Sequence, residues 1–245
     1  MSELKFPTEM VDLPSKGLFY PENHPLASGK IEMKYMTAKE EDILTNRVYI
    51  EKGIVIDKLL QSLLVTKFDY NDLFLVDKNA IMIAARVLGY GKEYSFSYDG
   101  ESYDVDLSVL DNKELDESLF KQGVNEFDFT LPHSGTKVTF KLLTHKDEKK
   151  ITAEIEGLKK ISKDNSSELT TRLKYIVTSV ERNRETKTIR EFVDNYLLAR
   201  DSRALREYSK SIQPDVDFII SLDVNGVEED ISLPITVSFF WPNAR

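Results

Sequence analysis

The sequence predicts an α+β fold, organised as a tandem duplication of a module of strand, two to three helices and an antiparallel β-hairpin. Two observations predict it. Short segments alternate apolar and polar residues with period two, whereas longer segments place apolar residues at helical spacing. The same succession of segments then occurs twice within the 245 residues. A succession that recurs in this way indicates a repeated structural unit.

The repeat rests on four matches that keep the same order in both halves. They are 13–17 with 131–135, 30–41 with 137–148, 73–81 with 197–205, and the segments around Asp99-Gly100 with those around Asn225-Gly226. Four ordered matches favour duplication over the alternative, two unrelated α+β halves that share common local patterns. We therefore predict a first module with an N-terminal extended arm over 1–110, a polar linker over 111–123, and a second, diverged copy with a C-terminal aromatic strand over 124–245.

Each module opens with a strand that leads into a helix. Residues 31–36 alternate apolar and polar side chains, so one face of this strand is expected to be buried. Thr37 is predicted to cap the following helix, and Glu40 to complete a capping box with it. Thr144 and Glu148 nearly repeat this arrangement in the second module.

The next segments have the apolar spacing of one helix face. In the first module this stripe consists of Ile56, Leu59, Leu60, Leu63 and Leu64. Its counterpart in the second module consists of Leu169, Leu173, Ile176, Val177 and Val180. The pattern predicts one amphipathic helix at this place in each copy.

A further helix and a hairpin complete each module. In the first module Asp77 is predicted to cap a helix over 79–88 that Gly89 ends. In the second module a helical stripe runs from Ile189 to Leu197, and Asp201 is predicted to cap a short final helix. Asp-Gly and Asn-Gly between alternating runs then predict tight hairpins, because both turn positions need a positive φ.

The composition excludes several classes of protein. Lys and Arg number 33 against 42 Asp and Glu, giving a net charge of −9, and the basic residues are interleaved with acidic ones, so we predict no nucleic-acid partner. The absence of cysteine excludes disulfides and thiolate metal sites. Neither a signal peptide nor a membrane helix is recognisable, so we predict no membrane partner and a cytosolic location.

Candidate catalytic motifs are missing from the sequence. His24, His133 and His145 lack a metal-ligand pattern and are interpreted as ordinary surface residues. The glycines of 89–92 follow a helix instead of preceding one, so they do not form a phosphate loop. No serine lies in a nucleophile elbow. We predict that the protein is not an enzyme and has no catalytic, cofactor-binding or metal-binding residues.

Two aromatic segments are instead candidate partner-binding sites. Leu18, Phe19 and Tyr20 lie in a proline-rich loop that is expected to be extended. Near the other end of the chain, the adjacent aromatic residues are Phe239, Phe240 and Trp241. Aromatic side chains are enriched at the centres of interfaces. The alternative for the second segment is that its rings simply cover the edge of the protein's own sheet.

Three segments resemble a protein family found in contractile-tailed, T-even-like phages (myoviruses). They are 11–21 (VDLPSKGLFYP), 34–44 (KYMTAKEEDIL) and 239–242 (FFWP). Members of this family are described as baseplate hub or baseplate hub assembly proteins. The resemblance covers both ends of the chain and much of the first module. Some members carry a CPxC-like zinc knuckle at the first hairpin; this chain has 94–100 there and no cysteine, so a metal role does not carry over.

The resemblance implies a non-enzymatic tail protein that acts in assembly or structure of the baseplate central hub. Its partners would be other baseplate or hub proteins, with self-association left open. The alternative is a transient assembly chaperone or adaptor that is absent from the mature particle. In either role the protein would act in the host cytoplasm during assembly. As a structural tail protein it would also be present in the tail baseplate of the virion. Two similar modules on one chain suit a bridge between repeated subunits.

Overall fold

The computed structural model describes residues 7–161, 167–224, 226–235 and 239–241. Within these residues there are nine strands and eight α-helices. The strands are β1 (Thr8–Asp12), β2 (Lys30–Lys34), β3 (Glu93–Tyr98), β4 (Glu101–Asp106), β5 (Phe127–Thr130), β6 (Lys137–Phe140), β7 (Val177–Val180), β8 (Ile219–Val224) and β9 (Val227–Ser232). The helices are α1 (Ala38–Leu44), α2 (Arg47–Glu51), α3 (Val55–Leu63), α4 (Leu75–Tyr90), α5 (His145–Ile161), α6 (Glu168–Ile176), α7 (Thr186–Asn195) and α8 (Ala199–Ile212).

The strands form small antiparallel sheets, which confirms the predicted mixed α and β class. The sheets are β1–β2, β3–β4, β5–β6–β7 and β8–β9. The Asp99-Gly100 hairpin is confirmed, with φ of 48° at Asp99 and 83° at Gly100. In the second hairpin Gly226 has φ 84°, while Asn225 lies outside the described residues. Both hairpins carry a serine opposite an aspartate, Ser95 with Asp104 in one and Ser221 with Asp230 in the other.

The helix predicted to continue through Val177 and Val180 is wrong. After α6 these residues form β7, where Val180 lies opposite Val138 and Val177 opposite Phe140 of β6. The β-branched valines fit a buried strand as well as a helix stripe, and pairing with β6 decides between them. The first half has only a trace of this third strand, a single bridge between Leu64 and Met33.

The strand-to-helix junction is built in the same way in both halves. In the first half the Glu40 carboxylate accepts hydrogen bonds from Lys34 Nζ (2.8 Å) and from the Thr37 N–H (3.0 Å), as the predicted capping box requires. In the second half the carboxylate that accepts from Lys141 and Thr144 belongs to Asp147. The prediction of Glu148 as the partner of Thr144 is therefore wrong by one residue.

Asp77 and Asp201 also occupy equivalent places, although neither is a helix cap as predicted. Each is the third residue of its helix, α4 or α8, and each is fully buried. Asp77 accepts from the Ser15 N–H, and Asp201 accepts from the N–H groups of His133 and Ser134. The carboxylate thus holds the preceding loop against the helix in both halves. In addition, α4 runs through Gly89 to Tyr90, and α8 has 14 residues, so it is not short.

The two halves share one hydrophobic core. Main-chain hydrogen bonds join them directly, from Leu75 N–H to the Leu143 carbonyl and from His145 N–H to that of Leu73. The segment 111–123, predicted as a linker, contacts both halves. Gln122 donates to the Tyr20 carbonyl of the first half, whereas Lys113 N–H donates to the Asp215 carbonyl of the second. These equivalences are what a duplicated module would produce, and common descent of the halves stays a prediction.

Candidate functional site

The predicted partner-binding segment at 18–20 lies mostly in the core. Phe19 and Tyr20 are buried, and Leu18 is half-buried. The Phe19 ring packs edge-on against Phe120 at 5.2 Å, and the Tyr20 hydroxyl donates to Asp77 Oδ2 at 2.8 Å. The prediction that these rings are available to a partner is therefore wrong for Phe19 and Tyr20, because the loop turns inward to satisfy Asp77.

The aromatic segment at 239–241 is also turned inward. Phe239 and Phe240 are buried with their rings 5.1 Å apart, and the described part of this segment is not a strand. Trp241 is half-buried, and its Nε1–H donates to the Leu44 carbonyl at 3.1 Å. The Phe239 ring meets Tyr94 of β3 at 5.2 Å. These rings therefore pack in and against the protein's own core. Residues 236–238 lie outside the described residues.

One cluster of titratable groups sits where the halves meet. Asp57 Oδ1 accepts from the Tyr70 hydroxyl (3.1 Å) and lies 2.6 Å from Lys78 Nζ. His145 is buried, contrary to its interpretation as a surface residue, and burial lowers its pKa. Its Nδ1 lies 3.9 Å from Asp57 Oδ1, which is too far for a hydrogen bond. The Lys78–Asp57 ion pair joins α4 to α3, and the Tyr70 ring packs edge-on against His145 of α5, with centroids 4.7 Å apart. The cluster therefore has a structural role.

The opening best suited to a partner is an apolar groove beside β1, which we call the β1–α4 groove. It encloses about 540 Å³ between β1, α4 and the segment 107–112. Ala80, Ile83, Ala84, Val87 and Leu88 of α4 line it. Through Leu110 and Asp111 it continues into a second depression, of about 550 Å³, between β4 and β8.

The positions that the internal matches pair carry a small residue in the first half and a ring in the second. Ala84 is the tenth residue of α4, and Tyr208 is the tenth residue of α8. In the second half the Tyr208 ring stacks on Phe129 of β5, with centroids 4.8 Å apart. Leu13 is matched with Leu131, so Val11 of β1, two residues before Leu13, is the counterpart of Phe129. Two small side chains in place of two stacked rings leave the space open.

Carboxylates dominate the polar lining of the groove and its extension. They are Glu9, Asp12, Asp104, Asp106, Asp111 and Asp217. None of the described residues that line either depression is Lys or Arg. Two of these carboxylates are already paired with lysines outside the lining, Asp12 with Lys30 at 3.1 Å and Asp106 with Lys92 at 2.6 Å. Hydrogen bonds from Lys92 and Ser108 lower the pKa of Asp106 to about 2. The other four carboxylates leave the lining negative. The groove therefore favours a ligand that carries positive charge.

Large apolar side chains stand exposed along the same path. The exposed fractions are 58% for Met10, 64% for Val109 and 53% for Ile219. Together with the groove they form an apolar strip bordered by carboxylates, the composition expected of a protein-binding surface. No motif in the sequence predicts this strip; the signal that the sequence does contain is the contrast between Ala84 and Tyr208 at matched positions.

Comparison of the chain with protein-family models, curated proteins and solved structures gave no match. None of the described helices is long and apolar enough to cross a membrane. The described residues also contain no group of three or more His, Asp or Glu side chains placed to hold a metal ion.

Proposed function

We propose that the protein is a non-enzymatic tail protein of a contractile-tailed phage, acting in assembly or structure of the baseplate central hub through protein–protein contacts. The observation that supports a protein-binding function is the β1–α4 groove, which is apolar and bordered by carboxylates. The baseplate as the setting rests on the sequence resemblance at both ends of the chain.

The form of the molecule supports a role as a connecting part. Both halves pack on one core, so a force applied to the surface of one half is transmitted through packed side chains to the other half. The halves offer different surfaces, since the first has an open groove where Tyr208 and Phe129 close the second. A rigid body with one open groove suits a single, oriented contact with a hub subunit.

Mass spectrometry of purified mature particles and of isolated hub intermediates tests this function. Recovery from particles at a fixed small copy number supports a structural baseplate component. Presence in hub intermediates without recovery from particles supports the alternative, a transient assembly chaperone or adaptor. Absence from both would contradict a role in the baseplate.

A further inference from the structure

We propose that the β1–α4 groove binds an extended, cationic segment of a partner protein, which adds as a third strand to the free edge of β1. The identity of the partner as a hub protein rests on the proposed function. The chemistry of the bound segment rests on the groove alone.

The free edge of β1 follows from its register with β2. Tyr35 N–H donates to the Pro7 carbonyl (3.2 Å) and Leu13 N–H to the Gly29 carbonyl (2.8 Å), so the odd-numbered residues of this segment face β2. In antiparallel pairs the hydrogen-bonded positions alternate. Thr8, Met10 and Asp12 therefore turn their N–H and C=O groups away from β2. Among the described residues, no strand pairs with this edge.

The apolar floor gives an added strand somewhere to place its side chains. Every second side chain of a strand points to the same face, and here that face meets α4. Ala80 and Ala84 contribute only methyl groups to this face of the groove, whose volume is about 540 Å³. At the positions that the internal matches pair with Val11 and Ala84, the second half has the stacked Phe129 and Tyr208 rings.

Charge then selects among extended segments. Six carboxylates line the groove and its extension; Lys30 and Lys92 pair with Asp12 and Asp106, and none of the described lining residues is itself cationic. The other side chains of the added strand point to solvent on the same face as Thr8, Met10 and Asp12, and the carboxylates that border the groove are expected to favour Lys or Arg there. A second copy of this chain is a poor occupant, because its own β1 edge carries Glu9 and Asp12 and the whole chain has a net charge of −9.

Fluorescence anisotropy with the full-length protein tests the proposal. The probe is a labelled peptide of eight residues that alternates Lys and Val. The comparison peptides are one with four Lys followed by four Val, one that alternates Glu and Val, and a cationic amphipathic helix. We expect the alternating Lys–Val peptide to bind at least about tenfold more tightly than the other three, and to weaken as salt is raised.

Two pairs of variants locate the binding site. Met10→Pro removes an N–H that β2 does not use, and proline is tolerated on edge strands; Met10→Ala keeps the N–H. Ala84→Tyr fills the groove with the ring that the second half has, and Ala84→Ser leaves it open. We expect Met10→Pro and Ala84→Tyr each to weaken the Lys–Val peptide roughly tenfold, and both controls to stay within about threefold of wild type. Circular dichroism confirms that each variant is folded.

Several results would overturn the proposal. They are equal binding of the Glu–Val peptide, no binding of the Lys–Val peptide, or binding that both Ala84→Tyr and Met10→Pro leave unchanged. Tighter binding of the helical peptide would make the groove a helix site and would equally reject strand addition. Should Met10→Pro fail to fold, Ala84→Tyr with its serine control still decides. Recovery of the protein from particles or hub intermediates without peptide binding would reject this inference and leave the proposed function standing. Peptide binding by a protein that is absent from both would support this inference and reject the proposed function.

Discussion

The pH dependence of unfolding tests the buried network around Asp77. The Asp77 carboxylate accepts hydrogen bonds from Ser15 N–H (2.9 Å), Ser15 Oγ (2.8 Å) and the Tyr20 hydroxyl (2.8 Å). Burial raises the pKa of Asp77 from its ordinary value of 3.8 to about 6, although these hydrogen bonds act in the opposite direction. The folded protein therefore binds a proton at Asp77 more tightly than the unfolded chain does.

A pKa that is raised on folding contributes stability below the unfolded pKa, and this stability is lost as pH rises through the folded pKa. For Asp77 that window runs from 3.8 to about 6. Since each pKa unit is worth about 1.4 kcal/mol, the free energy of unfolding of wild type should fall by roughly 2–3 kcal/mol relative to that of Asp77→Asn between about pH 4 and pH 7. Urea unfolding followed by far-UV circular dichroism at several pH values measures this difference.

Asp201→Asn is the matched control, since it removes the equivalent carboxylate from α8. Burial of Asp201 opposes its ionisation, but hydrogen bonds from His133 and Ser134 outweigh burial and lower its pKa. Its contribution to stability is therefore present above 3.8 and lost only as pH falls below that value. The difference between wild type and Asp201→Asn should stay level from about pH 4 to pH 7. A level difference for Asp77→Asn as well, or one that grows with pH, would refute the assignment of burial as the dominant effect at Asp77.

Two further predictions concern the shared core. Phe19→Ala should lower the free energy of unfolding by about 3–5 kcal/mol, because the Phe19 ring is buried against Phe74 and Phe120. The control Leu119→Ala, at an exposed position, should change it by about 0.5 kcal/mol or less. Urea unfolding measures both, and a loss below about 1 kcal/mol for Phe19→Ala would place its ring outside the core. The fluorescence of Trp241, the sole tryptophan, should change in the same urea transition as the far-UV circular dichroism, because Trp241 of the second half bonds to Leu44 of the first. Two separate transitions would show that the halves unfold independently.

The features that the sequence predicted well are those decided by neighbouring residues. The Asp99-Gly100 turn needs positive φ at both positions, which glycine and aspartate accept at low cost. The junction at Thr37 depends on Glu40, only three residues away. The two matched helices begin 124 residues apart, at Leu75 and Ala199, as the internal matches require.

The features that the sequence predicted wrongly depend on distant residues. The spacing of Val177 and Val180 satisfies a helix and a strand alike, and only β6 selects the strand. The sequence around Phe19 and Tyr20 predicts an exposed aromatic loop. Nothing nearby in the sequence indicates that Asp77, 57 residues beyond Tyr20, accepts a hydrogen bond from the Tyr20 hydroxyl. Local patterns fix which segments form, whereas packing between distant segments fixes which side chains remain available.

The candidate site could not be predicted, because no sequence motif marks it and the signal is a small residue at a position where the other half has an aromatic ring. Ala84 is unremarkable in an apolar helix, and it gains meaning only beside Tyr208 at the matched position of α8. The free edge of β1 likewise follows from its register with β2, which the alternation of residues does not reveal. Binding sites made by absent side chains need the packed structure before they can be recognised.

Hydrogen exchange at β1 tests the central claim most directly. In the free protein the N–H groups of Thr8, Met10 and Asp12 face an unpaired edge, and those of Glu9 and Val11 face β2. NMR-detected exchange with and without the alternating Lys–Val peptide resolves the two sets. Slower exchange of Met10 and Asp12 on binding, with Glu9 and Val11 little changed, is the result that strand addition predicts. Binding that leaves Met10 exchanging as fast as in the free protein would contradict it.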